Sequence, residues 1–274
     1  MSIALNGPLV LVGAGKMGGA MLAGWLAQGL DPKRVIVQDP GPPPEVAALL
    51  ARHAIGAHAT LPTLDAAPAV LLVAVKPQVM DQVFPPVART AGPGTLVLSV
   101  AAGKTIASFA AHLPPQTAVV RSIPNTPAAI GRGITVCAAN SHVTPAQRAL
   151  CDRLLAAVGE VGWVDREELI DAATAVSGSG PAYVFLLAEC LAEAARSVGL
   201  EPALARRLAD ATVSGAGELL RQSGEDPAVL RQNVTSPNGT TFAALQVLMG
   251  KDGLQPLLNR AVAAAEKRSR ELSK

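Results

Sequence analysis

Three stretches of this 274-residue chain carry side chains at spacings that could support chemistry. The first, Gly13-Ala14-Gly15-Lys16-Met17-Gly18, has the spacing G-x-G-x-x-G and follows the apolar run Leu9-Val10-Leu11-Val12. Between a strand and a helix, Gly13 permits a tight turn, Gly15 lets backbone approach a pyrophosphate, and Gly18 lets the helix lie against the sheet. The helix N–H groups then face the anion, so Gly13 to Gly18 are expected to hold a dinucleotide. Asp39, at the end of a second apolar run, is placed to accept ribose hydroxyls, which favours NADH. It also opens the turn Pro40-Gly41-Pro42-Pro43-Pro44, and a purely structural role there stands as the alternative. The second stretch is Ser177-Gly178-Ser179-Gly180-Pro181; the third is Val234-Thr235-Ser236-Pro237-Asn238-Gly239-Thr240-Thr241, leading into a helix. The third offers hydroxyls and unpaired helix N–H groups, a seat suited to a carboxylate. Simple helix capping is the competing reading of both.

What is missing narrows the reaction. An enzyme that interconverts alcohols and ketones needs a proton donor at the reacting oxygen, usually His, Tyr or Lys. His53, His58, His112 and His142 lie in no motif, and the sole tyrosine, Tyr183, has no Lys four residues on. A C=N substrate removes the difficulty. A protonated iminium is already electrophilic, so the protein has mainly to hold it against a hydride donor and supply polar contacts. Cys137, Cys151 and Cys190 are odd in number and widely spaced, which implies neither a disulfide framework nor a zinc site, and no metal is expected. They read as buried thiols.

The elements that must position these residues divide the chain in two. Candidate strands are 9–12, 35–38, 70–75, 96–100, 118–122 and 134–138, with helices such as 17–28 and 44–53 between the earlier ones. Near-continuous apolar strands mean burial on both faces, the mark of a parallel sheet covered by helices on each side. After Trp163 no convincing strand follows, only long Ala- and Leu-rich helical stretches punctuated by Gly199, Pro202, Gly224 and Asp226-Pro227. The expected fold is α/β, a doubly wound, Rossmann-like domain over 1–164 followed by an all-helical domain over 165–274. In the helix expected over 182–198, residues 182–188 are apolar all round and need cover on every side. A second subunit is the simplest source, so a homodimer is expected; burial within one chain is the alternative.

Composition bounds the rest. Half the residues are hydrophobic, 23 basic side chains face 21 acidic ones, and the net charge is +2. That excludes a disordered tail, and it gives no electrostatic case for nucleic acid or an anionic membrane. No apolar run approaches about 18 residues without a charge or breaker, and no charged-then-apolar leader precedes the first strand. A soluble, cytoplasmic protein is expected.

Five ordered segments together resemble the pyrroline-5-carboxylate reductase family over nearly the whole chain. They are Gly13 to Gly18, Ala74-Val75-Lys76-Pro77-Gln78, Arg121-Ser122-Ile123-Pro124-Asn125-Thr126-Pro127, Ser177 to Tyr183, and Val234 to Thr241. The resemblance implies NAD(P)H-dependent reduction of the cyclic imine 1-pyrroline-5-carboxylate to L-proline. It implies that the substrate carboxylate sits on the Gly239, Thr240 and Thr241 N–H groups with the Thr241 hydroxyl near the ring nitrogen. Ser177, Ser236 and Asn238 complete the implied substrate contacts, and Val75, Lys76, Pro77, Ala102 and Asn125 lie beside the cofactor. It implies also that the helical domain pairs between subunits, so that each site uses both chains, with dimers assembling into larger rings.

Two departures qualify the likeness. Asn238 stands where the family usually has Gly; Asn tolerates the left-handed conformation, so the turn survives, but its side chain narrows the seat. The loop after the second strand carries Asp39-Pro40 and no basic element suited to a 2′-phosphate. A β-hydroxyacid dehydrogenase shares the glycine turn and the helical second domain, but that class places a Lys four residues after the second Gly of its Gly-rich helix start, where this chain has Val184. A non-catalytic nucleotide sensor would have no use for a carboxylate seat.

Overall fold

The apolar runs of the first half fold as strands in the computed structural model, which describes residues 3–273. They are β1 (Leu9–Val12), β2 (Val35–Gln38), β3 (Ala57–His58), β4 (Val70–Val73), β5 (Leu96–Ser99), β6 (Ala118–Pro124), β7 (Gly133–Ala139) and β8 (Gly159–Trp163). Helices α1 (Lys16–Ala27), α2 (Pro44–Arg52), α3 (Pro77–Ala88), α4 (Ile106–Ala110), α5 (Pro145–Leu155) and α6 (Leu169–Ala173) accompany them. Then come α7 (Gly180–Ser197), α8 (Pro202–Ser223), α9 (Pro227–Asn233), α10 (Thr240–Leu248) and α11 (Leu254–Leu272). The chain divides into two compact units: Met1–Gly178 with Glu266–Lys274, and Ser179–Ala265. The first unit therefore extends past the last strand through α6 and takes back the end of α11.

The first unit is one eight-stranded sheet in the order β3-β2-β1-β4-β5-β6-β7-β8. Every residue of β1, β4, β5 and β6 is buried, as a strand covered on both faces requires. One face packs Leu9, Leu11, Val37 and Leu72 against Met21, Leu22 and Trp25 of α1, Leu50 of α2 and Leu154 of α5. The other packs Val10, Val12, Leu71 and Val97 against Met80 and Phe84 of α3 and Phe109 of α4. Phe84 and Phe109 meet edge to face at 4.9 Å.

All pairs are parallel except β6 with β7. The connection 125–132 is too short for a crossover, which takes a dozen or more residues, so β7 turns back beside β6. Strands β3 and β8 add to the six expected. Both are edges: β3 is two exposed residues, and β8 carries two glycines in Gly159-Glu160-Val161-Gly162-Trp163.

The second unit is helical, with α7 packed along α8. Gly199 (φ +97°) and Gly224 (φ +66°) end these two helices as left-handed stops. Its apolar side chains are largely uncovered: in α7 Phe185 is 62% exposed, Leu186 56% and Leu187 51%. Burial of this helix within one chain is thereby overturned. The run Leu169–Ser197 is apolar enough to cross a membrane by length and composition, but a π-helical turn at Thr174–Gly178 and the Gly180-Pro181 step interrupt it.

Candidate active site

The glycine turn sits at the carboxyl end of β1, where the strand order reverses between β1 and β4. In open α/β sheets that crevice is the ligand site. Gly13 adopts φ +91°, and a Cβ there would stand 2.8 Å from the Ala74 carbonyl oxygen and 2.9 Å from Val75 Cγ1, so only glycine fits. Its N–H donates to the Gln38 carbonyl at 2.8 Å. Gly15 has open space around it and begins α1 without a side-chain cap, which leaves the first-turn N–H groups of α1 available to an anion. A Cβ on Gly18 would overlap the Gly13 carbonyl oxygen, so helix and turn approach only through glycine. Lys16 is exposed at the turn and Met17 half-buried behind it.

Asp39 follows β2 directly. Its Oδ2 accepts the Ala14 N–H at 2.7 Å and its Oδ1 accepts the Gly41 N–H at 2.8 Å. The carboxylate thus organises the proline-rich turn and ties it to the glycine turn, while each oxygen keeps a further lone pair for a ligand hydroxyl. Val75, Lys76 and Pro77 follow β4, with Lys76 exposed as the N-cap of α3; Ala102 follows β5 and is exposed. Asn125 follows β6, where its Oδ1 accepts the Ile134 N–H at 3.0 Å. The neighbouring strands β2, β1, β4, β5 and β6 therefore carry all the expected cofactor-side residues to one edge of the sheet.

Ser177 belongs to the first unit, in the π-helical turn, and its hydroxyl donates back to the Ala173 carbonyl at 2.9 Å. In the second unit the turn before α10 brings Ser236, Asn238, Gly239, Thr240 and Thr241 together. Thr235 closes it by donating to the Arg231 carbonyl at 2.6 Å, and the Gly239 N–H donates to the Ser236 carbonyl at 3.1 Å. Asn238 adopts φ +56°, the left-handed conformation expected of it. Gly239 caps α10 without any side chain bonding to the helix end. The N–H groups of Thr240, Thr241 and Phe242 consequently have no intrahelical partner, which makes an anion seat at the positive end of the helix dipole. Thr241 is half-buried there; Asn238 and Thr240 are exposed.

Sequence reasoning gave Arg121 no role of its own. It is 4% exposed on β6, donates to Glu167 Oε1 at 3.0 Å and lies 3.7 Å from Asp171 Oδ1. Ser269 donates to the same Asp171 oxygen at 2.6 Å, and Arg121 reaches Ser273 Oγ at 3.3 Å, so the end of α11 is held to the first unit. No local pattern links positions 121, 167, 171, 269 and 273. Cys137 and Cys151 are buried as expected: burial pushes the Cys151 thiol up to about 12 and the Cys137 thiol higher still. Cys190, on α7, departs from that expectation and is exposed.

Comparison with known proteins is consistent along the chain. Residues 167–272 match the family described as pyrroline-5-carboxylate reductase dimerisation, and residues 8–103 match that described as NADP oxidoreductase, coenzyme F420-dependent. The chain is 39% identical to the pyrroline-5-carboxylate reductase of Pseudomonas aeruginosa, over 97% of this chain and 96% of that one. It is 34% identical to the Escherichia coli enzyme of that name, over 96% and 97% of the two chains. Among solved structures, a pyrroline-5-carboxylate reductase of Coxiella burnetii superposes with TM-score 0.88 at 34% identity, covering 98% of this chain and 99% of that one. The Plasmodium falciparum pyrroline carboxylate reductase with NADP bound gives TM-score 0.79 at 25% identity, over 98% and 99%.

Proposed function

This chain belongs to the pyrroline-5-carboxylate reductase family, and we propose that it reduces 1-pyrroline-5-carboxylate to L-proline with NAD(P)H. NAD(P)H supplies the hydride. The residues of the first unit fit such a cofactor: a turn with no Cβ at Gly13, Gly15 or Gly18, uncapped α1 N–H groups for the pyrophosphate, and the Asp39 carboxylate for a ribose. Val75, Lys76, Pro77, Ala102 and Asn125, on the adjoining strand ends, flank it. The Thr240 and Thr241 N–H groups hold the substrate carboxylate, the Gly239 N–H being already given to the Ser236 carbonyl at 3.1 Å, with Ser236, Asn238 and Ser177 as further polar contacts. The Thr241 hydroxyl faces the ring nitrogen. The hydride adds to the C=N carbon of the protonated imine, the π pair becomes the nitrogen lone pair, and the nitrogen keeps its proton. No side chain has to deliver a proton in the hydride step, in accord with a chain poor in placed His, Tyr and Lys.

The observation that carries this reading is the uncapped amino end of α10 in a chain that also bears a dinucleotide turn. The enzyme works as a homodimer through its second unit. What supports a paired assembly is the apolar face left open on α7, together with Leu219 at 55% and Val247 at 76% exposure, in a segment that matches a dimerisation family. Two soluble subunits in the cytoplasm suit that reading. Nicotinamide absorbance followed with 1-pyrroline-5-carboxylate and NADH or NADPH, and with a 3-hydroxyacid and NAD⁺ or NADP⁺ as control, tests it. Oxidation of the nucleotide only with the imine is expected; turnover of the hydroxyacid alone, or of neither, refutes it.

A further inference from the structure

Resting on the cofactor reading above, we propose that the β2–α2 connection makes this protein selective for NADH, because it offers the adenosine ribose acceptors and strips away donors. A ribose 2′-hydroxyl donates a hydrogen bond, whereas a 2′-phosphate is an anion that only accepts and needs N–H groups or cations. Asp39 is pinned through both oxygens, to Ala14 N–H at 2.7 Å and Gly41 N–H at 2.8 Å, so its charge cannot swing away from the strand end.

The donors that a phosphate would require are missing one by one. Pro40, Pro42, Pro43 and Pro44 have no N–H, and the only N–H between them, that of Gly41, is given to Asp39. Pro43 is the N-cap of α2 and Pro44 its first residue, so a helix end that would ordinarily attract phosphate has lost those donors. The next N–H belongs to Glu45, which brings a second carboxylate to the same turn. The Val46 and Ala47 N–H groups are both directed to the Pro43 carbonyl, at 2.9 and 2.8 Å.

Cations are equally distant. Arg34 precedes β2, so the length of that strand, roughly 16 Å over five residues, separates it from Asp39. Arg52 ends α2, about 12 Å along the helix axis from Pro44. Lys16 belongs to the glycine turn, where a pyrophosphate would occupy it. His58, on β3, lies beside Asp39, its carbonyl accepting the Asp39 N–H at 2.9 Å.

Equilibrium titration of NADH and NADPH, and of ADP-ribose against its 2′-phosphate, is to be compared for the wild type, Gly41→Arg and Asp39→Ser at pH 8 and fixed salt. Gly41 has open space where a Cβ would go and no positive φ, so Gly41→Arg adds a cation while keeping the N–H that Asp39 accepts. The wild type is expected to bind NADH at least tenfold more tightly than NADPH. Gly41→Arg narrows that ratio at least fivefold by gaining NADPH affinity, and Asp39→Ser narrows it by losing NADH affinity. Equal or tighter NADPH binding by the wild type, or a ratio unmoved in Gly41→Arg, overturns the proposal. Failure of the imine assay with both nucleotides would instead refute the reaction, and the binding ratio would remain readable.

Discussion

Replacing Thr241 by Val removes one hydroxyl and little else. The side chain stays β-branched and of equal size, and Thr241 is the second residue of α10, so its N–H remains at the open helix end. The carboxylate seat therefore persists, and what disappears is the hydrogen bond proposed above between the hydroxyl and the substrate ring nitrogen. A hydrogen bond to a charged group is worth about 1.5–3 kcal/mol, which corresponds to roughly ten- to 150-fold in rate. Steady-state nicotinamide oxidation with varied 1-pyrroline-5-carboxylate should show kcat/KM reduced by that factor. Thr241→Ser, which keeps the hydroxyl, should recover most of the loss. NADH affinity, measured by titration without substrate, should be unchanged. Wild-type kcat/KM in Thr241→Val would refute the role, and so would a matched loss in NADH binding, since that would mark a general disturbance.

Two further outcomes follow from burial and exposure. Arg121→Met removes a cation that is 4% exposed and leaves Glu167 (25% exposed) and Asp171 (9%) without it, and should lower unfolding stability by about 3 kcal/mol in urea denaturation; a loss below about 1 kcal/mol would show that the cluster contributes no net stability. Phe185→Glu, at a side chain 62% exposed in the single chain, should halve the mass seen by light scattering, and an unchanged mass would remove α7 from the interface.

The glycine turn was legible because no other residue satisfies its three requirements: a positive φ at Gly13, open approach at Gly15 and helix contact at Gly18. Strands β1, β4, β5 and β6 were legible because burial on both faces forces unbroken apolar runs, and β2 and β7, which are only partly covered, still carry apolar stretches. The edges β3 and β8 were not, since an edge strand escapes that demand and can be two exposed residues or a five-residue strand with two glycines. The direction of β7 was hidden in a loop length rather than in any strand residue. Asp39 offered two readings from sequence, turn residue or ribose acceptor; its two backbone contacts establish the first while leaving lone pairs for the second. Uniform apolarity in α7 marked a need for cover, but sequence alone could not say whether the same chain supplies it. The Arg121 cluster was unreadable because its members are brought together only by tertiary folding.

The return of Glu266–Lys274 to the first unit means that the helical unit is an insertion, not an appendage. The polypeptide passes out at Gly178 and back near Glu266, so a fragment truncated at 178 would forfeit its closing segment and strip Asp171 of the Ser269 hydroxyl that bonds it at 2.6 Å. A single proteolytic nick at the outward crossing would leave the halves tethered by the other. Excising the nucleotide-binding half intact would require grafting the final helical turns back on by a designed linker.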